Sequence, residues 1–248
     1  MEEYSLSSKS IYNILKDKGV FYLHHANTVS TAITFIENNA LLSRNYVELN
    51  GLFQSAQKSD SEDKLFDVWD HVFLDGEDLH KRYKRANKYG PVLFRFKLDM
   101  LTSPLLQKIY ITKSNPWYWN KETTMGDRFY KSIEEVSKDY LTGKRLDSQI
   151  MFTIRNPEKE IKLNKFIHSI GIDKPKLLVN LSSGEQTTAG DYSYDSIRKS
   201  MDENSLKHIP LLVRHEGKIS FCSCHANYNY LHAFDKSEFK KRFAKKKS

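Results

Sequence analysis

Cysteine is almost missing from this chain of 248 residues: only Cys222 and Cys224 occur. Two thiols that close together cannot staple a disulfide framework, so a reduced, cytoplasmic protein is expected. Their surroundings, with His225 beside them and His215 and His232 nearby, lack the ligand spacing of a common structural zinc site, so no metal is expected. No apolar run approaches the roughly 18 residues of a membrane span. The opening "MEEYSLSSKS" is acidic and polar, unlike a secretory signal. Glycine occurs ten times but never as GxGxxG or GxxxxGK, which excludes a Rossmann or P-loop phosphate cradle. No G-x-S-x-G elbow is present for a serine nucleophile. Internal repeats are also lacking.

What is present suits one large domain, or one domain with an elaboration: 39% of residues are hydrophobic and 12% aromatic. Acids are outnumbered by bases, 31 against 39, for a net charge of +8. That balance favours a polyanionic partner. Lys81, Arg82, Lys84, Arg85 and Lys88 form one basic cluster, interleaved with Tyr83 and Tyr89. Alternating cations and aromatic faces suit single-stranded nucleic acid, where bases can stack. Lys236, Lys240, Lys241, Arg242 and Lys245 to Lys247 form a second run, which reads more readily as a solvated tail than as a binding surface.

The element pattern is α+β with short strands. Residues 10–18 read as a helix and "VFYLHH" as a strand. "TVSTAITFIENNA" reads as a helix with Val29, Ile33 and Ile36 on one face and Thr28 or Ser30 as cap. "ALLSRNYVEL" is expected as a strand and residues 54–64 as a polar loop. "WDHVFLDGEDLH" is expected as a charged loop beside a helix start; its acids Asp70, Asp75, Glu77 and Asp78 offer an alternative as nuclease metal ligands. "PVLFRFKLDML", "KIYITKS" and "SQIMFTI" read as strands, and "GDRFYKSIEEVSKDYL" as one amphipathic helix stopped by Gly143. From Asp173 onward come strand "KLLVNL", helix "SYDSIRKSMDEN", strand "IPLLVR" and hairpin "HEGKISFCSC". Residues 1–172 are therefore expected to form a core and 173–248 a C-terminal elaboration, or the two form one continuous domain.

Two stretches carry chemistry by their order. "FYLHHANTVSTAITFIENNALLSR" ends a strand with His24 and His25, which alternation points to opposite faces. "SQIMFTIRNPEKEIKLNKFI" lies late in the core. Together they resemble the opening and closing segments of the ADP-ribosyltransferase fold, and within it the DarT-like toxins that modify nucleic-acid bases. The resemblance spans about residues 20–172. It implies a split β-sheet core around an NAD cleft, with NAD as substrate. It also implies transfer of ADP-ribose to a base of single-stranded nucleic acid, RNA slightly favoured over DNA. The setting would be toxin–antitoxin or antiphage defence, with an antitoxin protein as partner. His24 or His25, with His24 favoured, corresponds to the NAD-holding histidine of the family.

One departure has chemical weight: Gln149 stands where the family carries its catalytic glutamate. A carboxylate there faces the positive charge that grows as the nicotinamide bond breaks and can take a proton from an attacking amine. Glutamine keeps the shape but has neither charge nor basicity, an expected loss on the order of 3–5 kcal/mol, or 10²–10⁴-fold in rate. Both a natural glutamine and a glutamate exchanged to silence a toxin fit this residue. Further candidates are Asn27 at the strand–helix junction, Ser43, and Arg44 as a pyrophosphate partner. Trp117, Tyr118 and Trp119 are candidates for stacking nicotinamide or a base. The rival expectation is a non-catalytic nucleic-acid-binding protein, including a degenerate transferase.

Overall fold

The computed structural model describes residues 1–78, 80, 85–142, 150–181, 183–214 and 223–244. Its strands are β1 (Leu6–Ser7), β2 (Tyr22–Asn27), β3 (His71–Asp75), β4 (Val92–Lys97) and β5 (Lys108–Ile111). They continue with β6 (Met151–Arg155), β7 (Ile167–Asp173), β8 (Leu178–Asn180), β9 (Gln186–Thr188) and β10 (Leu211–Arg214). The helices are α1 (Ser8–Asp17), α2 (Val29–Glu37), α3 (Arg44–Leu49), α4 (Asp60–Leu65) and α5 (Met125–Arg128). Then follow α6 (Ile133–Tyr140), α7 (Leu163–Phe166), α8 (Ala189–Glu203), α9 (Cys224–Phe234) and α10 (Lys236–Phe243).

The strands make a mixed eight-stranded sheet in the order β1-β5-β6-β3-β2-β4-β7-β10, with β8 and β9 as a separate pair. β10 runs parallel to β7, and the other paired strands are antiparallel. The protein is thus α+β, as its pattern suggests. The sheet is not uniformly knit. β2 pairs with β4 at six positions, from Tyr22↔Lys97 to Asn27↔Val92. Its other edge meets β3 at one position, His24↔Asp75. Two half-sheets, β1-β5-β6-β3 and β2-β4-β7-β10, therefore hang together by a single registered pair.

Helix α2 is the centre of the packing. Thr28 caps it, its hydroxyl accepting from the Thr31 amide, and every residue from Val29 to Ile36 is buried. The expected one-sided helix is thus covered all round, as its almost wholly uncharged sequence permits. Phe35 lies 5.9 Å from Phe94 of β4, ring to ring, while α8 and α10 pack on α2 from outside. Ser30 Oγ donates to the Ala244 carbonyl at 2.5 Å. The segment from Asp173 onward thus extends the main sheet with β10 and closes over a core helix.

Local differences from the expected pattern have physical causes. "ALLSRNYVEL" is not a strand: Ser43 accepts the Tyr46 amide at 3.1 Å and starts α3, leaving only Ala40 in an isolated bridge to Lys162. The polar stretch 54–64 ends in α4, whose first turn holds Asp60, Glu62 and Asp63, favoured at a helix N-terminus. "WDHVFLDGEDLH" contains strand β3, central in the sheet, paired with β6 from His71↔Arg155 to Asp75↔Met151. "GDRFYKSIEEVSKDYL" forms two helices, because Ser132 accepts the Glu135 amide and starts α6 anew. Gly143 and most of the expected hairpin, residues 215–222, lie outside the described residues; Cys224 is buried in the first turn of α9.

Candidate functional site

A cleft of about 470 Å³ opens where the half-sheets part, and its lining draws on both. That size suits a nucleotide-sized ligand. After His24↔Asp75 the β2–β3 ladder stops. The His25 imidazole substitutes for it: Nδ1 lies 2.8 Å from the Phe73 carbonyl oxygen. Its Nε2 lies 3.3 Å from Asn27 Nδ2, and Asn27 Oδ1 accepts the Thr28 amide at 2.9 Å. This network assigns the proton to Nδ1, donating to Phe73, and makes Nε2 the acceptor. Burial pushes the His25 pKa down to about 4, with Arg44 adding to the fall and the Phe73 hydrogen bond opposing it. The ring is neutral at pH 7 and held between a strand carbonyl and Phe35, 5.8 Å away by ring centroids.

Arg44, at the start of α3, forms the adjoining wall. Its Nη2 donates to the Ser55 carbonyl at 3.1 Å and to Asp60 Oδ2 at 2.8 Å, and its guanidinium lies over the Trp69 ring at 5.1 Å. Its Nε is buried with no hydrogen-bond partner among the described residues. A buried guanidinium N–H on a cleft wall is a donor awaiting an acceptor. Burial depresses the Arg44 pKa, and Asp60 counteracts this; the group remains a cation near neutrality.

Asp63 lies on the same side, 7% exposed, accepting from Ser59 Oγ at 3.2 Å. Burial raises its pKa to about 6, with the Ser59 hydrogen bond and Arg44 limiting the rise. The opposite half-sheet supplies Phe73, Asp75 and Met151, and the chain after β5 supplies Thr112, Asn115 and Tyr118. Thr112 is tied to β6 by its amide, which donates to the Met151 carbonyl at 3.0 Å.

Of the residues singled out from sequence, His24, His25, Asn27 and Arg44 line this cleft, joined by Arg85 and Tyr89 from the basic cluster. His24 and His25 alternate, and His24 stands beside Asp75 and Arg95 on neighbouring strands. Ser43 is buried as the α3 cap, its hydroxyl spent on the Tyr46 amide. The two tryptophans that flank Tyr118 diverge. Trp117 is 51% exposed, whereas Trp119 is 5% exposed among Phe66 and Phe129, its indole N–H donating to Ser114. Trp119 thus packs in a core cluster, and Tyr118 is the aromatic residue of that turn that lines the cleft. Lys81, Arg82, Tyr83, Lys84 and Gln149 lie outside the described residues. Arg242 of the C-terminal run is buried, paired with Glu238 and Asn227.

Sequence reasoning missed Asp63 and Phe73. Asp63 carries no motif, and Phe73 contributes a backbone carbonyl that no side-chain pattern encodes. The acids near 70–78 serve other partners. Asp70 pairs with Arg155, Asp75 accepts the Glu77 amide and Asp78 the His80 amide. Among the described residues no group of three His, Cys, Asp or Glu side chains is arranged to hold a metal. No family model matches this chain, and no characterised protein matches it in sequence.

Proposed function

We propose that this chain is an NAD-dependent ADP-ribosyltransferase acting on bases of single-stranded nucleic acid, RNA favoured over DNA, as a toxin or phage-defence effector with a protein antitoxin. The observation that carries the reading is the meeting of two distant stretches at one cleft. His24 of the first pairs with Asp75, and Asp75 pairs on its other side with Met151 of the second, despite more than a hundred intervening residues. Gln149, at the proposed catalytic position, precedes Met151 by two residues in the chain.

The residues present fit NAD as substrate. The Arg44 Nε without a partner suits a pyrophosphate oxygen, and the second N–H of Asn27 Nδ2, an amide oriented by the His25 ring, suits a polar ligand group. NAD supplies the ADP-ribosyl group, released when its bond to nicotinamide breaks. Arg44 would hold the diphosphate, while Asn27, held in place by His25, would orient the ribose end. Arg85, Tyr89, Tyr118 and the exposed Trp117 would receive the acceptor strand at the rim. A glutamine at 149 makes the present chain a slow enzyme or an inactive one.

Gln149→Glu incubated with labelled NAD and separate samples of RNA, DNA and protein tests the proposal. Label is expected on nucleic acid, RNA above DNA. A variant that labels neither nucleic acid nor protein sinks the transferase reading. The second reading, a binding module derived from a transferase, is favoured by Gln149 itself and predicts nucleic-acid binding indifferent to NAD.

A further inference from the structure

Asp173, at the end of β7, has no exposed surface, yet it sits far along the chain from the residues that surround it. Arg214 Nη1 donates to Asp173 Oδ1 at 2.8 Å, and Tyr228 Oη donates to Oδ2 at 2.6 Å. Burial, then the Asp173 charge, pushes the Tyr228 phenol well above its ordinary range, so it stays a donor. His80 Nε2 lies 3.5 Å from the same carboxylate, and Arg214 Nη2 donates to the His80 carbonyl at 2.6 Å. One buried carboxylate thus joins β10 and α9, both from the C-terminal block, to the segment between β3 and β4.

Two further links run along that segment. The Ser223 amide donates to the Arg85 carbonyl at 3.0 Å, and the Asn87 amide contacts Cys224 Sγ at 3.3 Å. At its far end Gly90 has φ +150°, and a Cβ there would meet the Asn27 carbonyl oxygen at 2.3 Å. Only glycine lets this segment lie so close to the turn that carries cleft residue Asn27. Between these anchors the segment brings Arg85 and Tyr89 into the cleft lining.

We infer that Asp173, Arg214 and Tyr228 are positioning residues. They hold His80, whose Nε2 lies 2.9 Å from Asn87 Nδ2 and 3.2 Å from the Gly90 carbonyl oxygen. Through it they clamp the 85–90 segment from the C-terminal block, and so present Arg85 and Tyr89 to the acceptor strand. The C-terminal block then completes the cleft rather than adding a separate activity. Assigning the acceptor role to Arg85 and Tyr89 rests on the transferase reading; the clamp itself does not.

Tyr228→Phe and Arg214→Lys each remove or weaken one contact while conserving bulk. In hydrogen exchange on the intact chain, either variant should speed exchange of peptides covering 85–91 by about tenfold or more, with β2 and β4 unchanged. Unchanged protection at 85–91, or equal loss across the sheet, overturns the clamp. Binding of a short fluorescent single-stranded RNA supplies a readout that mere stability would not move. If the segment is docked only a tenth of the time and the undocked state binds RNA without the Arg85 contact, affinity falls by up to about tenfold. Adding Arg85→Ala to Tyr228→Phe should then cost less than Arg85→Ala costs alone. Additive losses contradict the positioning role. A wild-type chain that binds neither RNA nor NAD defeats the transferase reading, and the exchange experiment still decides the clamp.

Discussion

Strand β2 has two edges, built in opposite ways. Toward β4 it keeps a six-pair ladder backed by Phe94 and Phe96, both fully buried. Toward β3 it keeps one pair and then yields, with the His25 ring standing in for the missing ladder. The first edge stabilises the fold through burial and repeated backbone hydrogen bonds. The second gives up ladder bonds and gains a cleft whose polar groups are held by side chains. A cleft arises here from an interruption in regular structure, and its cost is limited because His25 and Asn27 satisfy what the ladder leaves open.

The largest expected effect lies on the ladder edge. Phe94→Ala, opposite His25, should cost about 3–5 kcal/mol of stability, measured by chemical denaturation. Trp119→Ala should cost a similar amount, since its ring is enclosed among Phe66 and Phe129. At the seam, His25→Phe keeps a ring but leaves the part-buried Phe73 carbonyl without its donor, for about 1–3 kcal/mol. Loss of NAD binding should accompany this smaller stability change. A seam variant costing more than Phe94→Ala would show that the cleft, not the ladder, carries the fold.

Acidity separates two cleft groups by sign. His25 has a pKa of about 4 when folded against an ordinary 6.5, so the unfolded chain binds the extra proton first. Its contribution is complete above pH 6.5 and falls as pH drops toward 4. Asp63 is raised from an ordinary 3.8 to about 6. Its folded form holds the proton longer, so Asp63 favours the fold below 3.8 and loses that contribution as pH rises through 6. The two slopes oppose each other, so relative to the wild type, denaturation midpoints across pH 4 to 7 should tilt downward with rising pH in His25→Phe and upward in Asp63→Asn. Parallel profiles in the two variants would contradict this assignment.

The smallest stability effect is expected at Trp117, half exposed beside its buried neighbour Trp119. Trp117→Ala should change stability by less than about 0.5 kcal/mol while weakening single-stranded RNA binding. An unchanged RNA affinity would remove Trp117 from the acceptor rim.

Much of the fold is legible where local chemistry and tertiary context agree. Strands β2, β4, β5 and β6 carry apolar alternation or runs, and Thr28 signals α2 by its cap. Strand β3 escapes because acids and histidines crowd its ends, so a five-residue buried strand reads as a charged loop. Helix α3 escapes because the apolar "ALL" ahead of Ser43 suggests a strand, while the capping hydroxyl is easily overlooked. His25, Asn27 and Arg44 can be found by motif order. The Phe73 carbonyl and Asp63 depend on which elements the fold brings together, a relation that local pattern does not carry.

Titration calorimetry of NAD into the intact chain, with Arg44→Ala alongside, tests the account most directly. Binding does not require a carboxylate at 149, so the chain as it stands should take up NAD saturably at one site. Arg44→Ala should weaken that binding by about tenfold or more, as for a lost charge-assisted pair. An absence of saturable NAD binding, or binding equally tight in Arg44→Ala, would contradict the assignment of this cleft to NAD.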